Sequence, residues 1–375
     1  EFAYAQKAIE YGVKDYLCKP INKESLLKAL CRVNDSIKIK DRQSSLEKEY
    51  QIIKKDIGKI RASFLKNLIL FNVDGLKDCS QEEINKNHYF HFREGSFRVI
   101  SIKIDSSGKA NQNIDQIINK MAGTIQTSLQ KLTYDAEIIH SNSNLYVLIN
   151  YRPDEKEMIE SVFIKILNKF KGRLATLGLM ITIGYGEDVK DLREIAVSIE
   201  SAKGAIDDRI LKGTGRIIEF SGTKSGEIYN EDRYYEFTKK FMKAVELVDP
   251  EGIKKAINAL KEDLSQQSIS GSELKRLLRE IGNTYYIIMK NNKIKITDAV
   301  EKQAQLENTI NNCYSMELLF QELAGHITLS LSKLAEDKTK KNLGRIRQAK
   351  TYIEENYMKN ITLEDLGSYL GFNPS

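Results

Sequence analysis

The sequence predicts a multidomain α+β protein: a long coiled-coil helix, a central α/β domain, and an all-α segment ending in a partial helix-turn-helix. Three observations predict it. An apolar repeat of seven residues runs through residues 39–64, strand-like and helix-like stretches alternate from 96 to 221, and no convincing strand occurs from about 230 to 342. The length of 375 residues suits two or three domains. Only four prolines (Pro20, Pro153, Pro250, Pro374) occur, so long helices are permitted and proline-rich or collagen-like classes are excluded.

The first elements read as a helix over 2–11 ending at Gly12, a short strand through Val13, Tyr16 and Leu17, and a second helix with Ile21, Leu26, Leu27, Leu30 and Val33. One strand between two helices cannot form a sheet, so 1–33 reads as the C-terminal part of an α/β domain. In 34–72, Ile39, Leu46, Ile53 and Ile60 recur every seven residues, and Tyr50, Ile57 and Phe64 fill the alternate position. This is a coiled-coil register with Leu46, Ile53 and Ile60 at d and Tyr50, Ile57 and Phe64 at a. In a parallel homodimer, Arg42–Glu47, Glu49–Lys54 and Asp56–Arg61 would be g–e′ pairs of opposite charge. A single amphipathic helix lying on a domain is the alternative, and outward Ile52 and mid-helix Gly58 favour it.

The central stretch, 73–225, reads as βαββαβ with an added αβ. Strands are expected at 97–104, 136–140, 145–150, 177–183 and 216–220, and helices at 112–132, 155–171 and 189–211. The segment 226–342 reads as five helices: 234–248, 252–264, 271–290, 298–312 and 316–334. A locally basic run (Lys333, Lys338, Lys340, Lys341, Arg345, Arg347, Lys350) leads into 343–375. There a helix over 345–357 is followed by Thr362 as N-cap, Asp365 as its capping-box partner, and Gly371 as terminator. Asn373-Pro374 then opens a further helix, the spacing of a helix-turn-helix.

Chemistry-bearing motifs are sparse. His88, His91 and Glu94 are spaced for a metal on a helix, but the interleaved aromatics favour a strand or a packed turn, and His140 and His326 stand alone. Gly184-Tyr185-Gly186 and the loop Lys212–Arg216 are weak phosphate-binding candidates. Asp105, ending the first central strand, could hold a metal only with acidic partners, and the Ser141–Asn144 turn offers none. No nucleophile–base pair or Walker sequence appears, so no catalytic residue is expected. Four dispersed cysteines, no membrane-length apolar run and no signal-peptide pattern lead to the expectation of a soluble cytoplasmic protein. The net charge of +6 does not by itself argue for nucleic acid.

Three stretches carry resemblances. The run Ala8-Ile9-Glu10-Tyr11-Gly12-Val13-Lys14-Asp15-Tyr16-Leu17-Cys18-Lys19-Pro20 resembles the end of a response-regulator receiver domain. The resemblance implies that Lys19 pairs with a phosphoryl group, that Tyr16 is the switch aromatic, and that Pro20 follows a cis bond. It also implies Mg2+ only at an acceptor site absent from this sequence. Ile181–Gly186, followed by Leu192, Ser198, Ala202, Lys203, Ala205 and 213–220, is similar to a degenerate GGDEF-type, nucleotide-cyclase-like domain. That implies a ferredoxin-like fold. The Ser141–Asn144 turn stands where active cyclases carry their signature. Ile361–Leu366 and Leu370–Ser375 resemble the start of an AraC-type helix-turn-helix domain, which implies DNA contacts by Asn373 and Ser375. Together these match the layout of bacterial AraC-type response regulators, cut at both ends. The expectation is a non-enzymatic transcription regulator with a sensor histidine kinase, DNA and a second copy as partners, and no membrane. The alternatives are a receiver-linked nucleotide-cyclase-like enzyme and a small-molecule-sensing dimer.

Overall fold

A computed structural model describes residues 17, 21, 23–71, 76, 79–106, 114–141, 144–220, 231–292, 298–356 and 361–371. Side chains of 41, 43–46, 48, 231–232, 333–345 and 355 also lie outside the description. The chain divides into two compact units, Glu1–His91 and Phe92–Ser375.

In the first unit, α1 (Lys23–Phe71) is continuous over 49 residues. At 1.5 Å per residue it extends about 73 Å. It joins the helix expected before Val33 to the heptad region without a break, as a proline-free segment permits. A short helix that the sequence reading did not anticipate, α2 (Gln81–His88), follows. Its start is a capping box: Ser80 Oγ accepts from Glu83 N at 3.2 Å, and the Glu83 carboxylate accepts from Ser80 N at 2.9 Å. Tyr89, at φ 58°, ends it in the left-handed region.

The second unit is mixed α/β, with one five-stranded mixed sheet among the described residues. Its strands are β1 (Ser96–Ser106), β2 (Asp135–Ser141), β3 (Asn144–Tyr151), β4 (Leu179–Tyr185) and β5 (Ile217–Glu219), in the order β2-β3-β1-β4-β5. All pairs are antiparallel except β4–β5. Side chains alternate between faces along each strand. Ile100, Ile102, Val147, Ile149, Ile181 and Ile183 form a core with Met121 and Ile125 of α3 (Ile114–Leu129) and Phe163 and Phe170 of α4 (Lys156–Ala175).

The opposite face is covered by α5 (Ile195–Asp207), which approaches closely because two positions of the sheet lack side chains. A Cβ on Gly186 would stand 2.1 Å from the Ser198 carbonyl, and one on Gly184 2.9 Å from that of Ala202. The glycine pair therefore serves helix–sheet packing, which corrects the phosphate-loop reading. The expected single helix 189–211 is divided into a 3-10 turn (Leu192–Glu194), α5 and α6 (Arg209–Lys212). Gly213 and Gly215, at φ 83° and 77°, then turn the chain into β5, and Lys171 Nζ donates to the Gly215 carbonyl at 2.9 Å.

Five helices complete the unit's core: α7 (Glu231–Glu246), α8 (Pro250–Ser265), α9 (Gly271–Asn291), α10 (Ala299–Asn312) and α11 (Met316–Asn356). They bury Phe241, Ile257, Leu278, Tyr285, Leu323 and Ile327 together. Asp249 caps α8 by accepting from Gly252 N at 3.0 Å, with Pro250 at the first helical position. The helices expected at 316–334 and 345–357 are one helix, α11; no break marks residue 342. Bundle and sheet are joined where α9 begins. Gly271 N donates to Asp208 Oδ1 at 2.9 Å, and a Cβ there would lie 2.2 Å from the Asp207 carbonyl. Ile210 of α6 contributes to the bundle core. The last helix is α12 (Leu363–Tyr369).

Among the described residues no helix is long and apolar enough to cross a membrane.

Candidate functional site

Helix α1 carries the predicted dimer seam. Tyr50, Ile53 and Ile60 are exposed, with Tyr50 and Ile53 near 60%, and Ile57 is half-buried. Leu46 lies on the helix, but its side chain is outside the description. The sixth position departs from the expectation. Phe64 is buried, its ring 4.5 Å from that of His88 and 5.3 Å from that of Phe90. The same segment engages Arg61, whose guanidinium lies 4.4 Å over Phe90 and donates to the Tyr89 carbonyl at 3.1 Å. Asp56 meets Lys59 of its own helix at 2.8 Å, a contact that lowers the carboxylate's pKa. The last predicted rung, Asp56–Arg61 with Phe64, thus has partners within its own chain, and Tyr50 to Ile60 remain as the uncovered stretch.

His88 packs on Phe64, and burial lowers its pKa. His91 and Glu94 are exposed, and no group of three or more His, Cys, Asp or Glu poised for a metal occurs among the described residues. His326, read as a lone residue, meets Tyr286 OH through Nε2 at 2.7 Å.

At the C-terminal end, Thr362 and Asp365 form the expected capping box. Thr362 Oγ1 accepts from Asp365 N at 3.2 Å, and Asp365 Oδ2 accepts from Thr362 N at 3.0 Å and from its hydroxyl at 2.6 Å. These bonds to the charged carboxylate lower its pKa. Tyr369 of α12 meets Tyr352 of α11 with ring centroids 4.5 Å apart, fixing the two helices against each other. Gly371, at φ 73°, ends the described segment. Asn373 and Ser375, expected to contact DNA, lie outside the described residues, as do Tyr16, Lys19 and Pro20, expected to form the phosphorylation switch. So do the helix expected at 2–11 and all of the first strand except Leu17.

In the central domain, Asp105 is closed to a metal. Both its oxygens accept from one guanidinium, Arg209 Nε at 2.9 Å and Nη2 at 3.0 Å, and both side chains are 1% exposed. Arg209 Nη1 also donates to the Ile206 carbonyl at 2.9 Å. Freeing the carboxylate would leave a buried guanidinium uncompensated, at a cost of about 3–5 kcal/mol.

Beside this pair lies a polar cleft of about 530 Å3, walled by β1, β3, α5, α9 and α10. Of its residues, Asn144 falls in the polar turn expected at 141–144, whereas Lys103, Lys275 and Asn312 were not singled out from sequence. The signal for Lys103 was available: Ser101, Lys103 and Asp105 alternate with Ile100, Ile102 and Ile104, a two-residue period that places polar groups on one face.

No protein-family model matches this chain, and no curated protein sequence matches it.

Proposed function

We propose that this chain belongs to a dimeric regulator of transcription with the layout of the AraC-type response regulators. In this reading a receiver accepts a phosphoryl group from a sensor histidine kinase in the cytoplasm. The long α1 helix pairs with that of a second copy. The ferredoxin-like, cyclase-like domain and the bundle act as a non-catalytic body, and the C-terminal helices belong to a DNA-reading domain. The observation that carries the proposal is the exposed Tyr50, Ile53 and Ile60, with half-buried Ile57 between them, on a continuous helix between two motif-bearing regions. Burying such a seam in a parallel dimer would contribute about 1.5–3 kcal/mol per fully buried large apolar side chain. A dimer also suits DNA recognition, since paired reading helices contact two spaced half-sites.

The cyclase-like enzyme is the weaker reading, because Asp105 is bound by Arg209 and the predicted turn carries no acidic partner. Sedimentation equilibrium of the 375-residue chain tests the proposal: a concentration-dependent dimer is expected, and a monomer at all concentrations contradicts it.

A further inference from the structure

The cleft beside Asp105 holds a charge that the chain does not balance. Four basic residues border it: Lys203 of α5 pairs with Glu200 at 2.9 Å, while three, Lys103 from β1, Arg209 from α6 and Lys275 from α9, are at least nine-tenths buried. Two carboxylates answer them. Asp105 takes Arg209 through two bonds, and Asp207 Oδ1 accepts from Lys275 Nζ, which also donates to the Asn311 carbonyl at 3.3 Å. Lys103 is left with one hydrogen bond, to the neutral Asn312 Oδ1 at 3.2 Å, although an ammonium offers three donors. Burial and the neighbouring Arg209 charge push its pKa down to about 8, so it still carries its proton at neutral pH.

The groups around Lys103 are unsatisfied in a complementary way. Asn144 faces Lys103 across the β1–β3 ladder; its Nδ2 donates to the Tyr146 hydroxyl oxygen at 3.1 Å, while its buried Oδ1 has no partner. Thr182 faces Lys103 across the β1–β4 ladder, and its fully buried Oγ1 has none either. An occupant that satisfies this site must bring a negative group to Lys103 and a hydrogen-bond donor to Asn144 Oδ1. The volume is that of a small-metabolite pocket, and its walls come from both the sheet layer and the bundle.

We propose that this cleft is a binding site for a small hydroxylated organic anion, a sugar acid or a sugar phosphate, with Lys103 taking the anionic group and Asn144 a hydroxyl. Because β1, α5, α9 and α10 all border it, the occupant would tie the sheet to the bundle. The site stands on residues 103–312 and is independent of the dimer and DNA reading.

Thermal unfolding of the whole chain with gluconate, glucose 6-phosphate, inorganic phosphate, glucose or potassium chloride tests it. Gluconate or glucose 6-phosphate is expected to raise the midpoint by about 5 °C at about 100 times its dissociation constant, with glucose and chloride inert. Whichever is active tells carboxylate from phosphate. Lys103→Met is expected to abolish that shift, and Asn144→Leu to weaken it. Asn312→Asp places a carboxylate beside Lys103; it is expected to raise the midpoint of the free protein and abolish the response, and it decides the question if Lys103→Met does not fold. The proposal is overturned if neither organic anion acts, if glucose or inorganic phosphate alone acts as strongly, or if the response survives in Lys103→Met or Asn312→Asp.

Discussion

Helix α1 and the polar face of β1 are incomplete in opposite senses. Along α1, Tyr50, Ile53 and Ile60 leave apolar surface in water. On β1, Lys103 carries a charge away from water with a single neutral partner. The first lacks apolar area that a second copy would supply; the second lacks an anion that a ligand would supply. Each region also contains its own completed counterpart. Phe64 is covered by His88 and Phe90, and Arg209 is neutralised by Asp105. The difference between Phe64 and Ile53, or between Arg209 and Lys103, is therefore one of partners and not of residue type.

The largest expected effect breaks the completed charge pair. Arg209→Met leaves Asp105 buried without its cation, and urea denaturation should show a loss of about 3–5 kcal/mol. The double change Arg209→Met with Asp105→Leu should recover most of it, because no buried charge is then stranded. Next comes the seam. Ile53→Asp with Ile57→Asp should weaken dimerisation by at least about 3 kcal/mol, more than a hundredfold, while leaving the unfolding of residues 92–375 unchanged.

A smaller effect is expected from pH. The Lys103 pKa is lower in the folded protein, about 8 against the ordinary 10.5, so between those values the unfolded chain holds more protons. Stability should therefore rise with pH across that window, by on the order of 1–3 kcal/mol, and the Lys103-dependent part should vanish in Lys103→Met. Lys275, also lowered by burial, adds in the same direction, while Asp207 holds both ammonium groups charged to higher pH, Asp105 does so for Lys103, and Arg209 opposes them. The least effect is expected at the C-terminal helix. Thr362→Ala should cost about 1 kcal/mol of local helix stability, read as a roughly fivefold loss of amide protection across α12.

What could be read in the sequence follows the range of the interactions. The α1 seam repeats every seven residues, so its register was visible locally; the capture of Phe64 involves residues more than twenty positions onward and was not. The sheet elements were legible from apolar runs and turns. Helix α2 is too short to show a period beside the aromatics at 89–92, and Ser80-x-x-Glu83 is the one local sign of its start. Helix α11 continues through the basic run because that run contains no proline, and its one glycine, Gly344, does not end the helix. The cleft was hidden for a topological reason. A strand with Ser101, Lys103 and Asp105 on one face reads as half exposed, and only the packing of α5 and the docking of α9 at Gly271 close that face. Arg209, near the end of the helix expected at 189–211, likewise shows no local sign of burial until Asp105 is placed against it.

The association of α1 is the claim on which the regulator reading depends. Sedimentation equilibrium of the intact chain beside its Ile53→Asp/Ile57→Asp variant tests it most directly. The prediction is twice the chain mass for the parent at high concentration and the chain mass for the variant. A parent that remains monomeric, or a variant that dimerises as tightly as the parent, would contradict it.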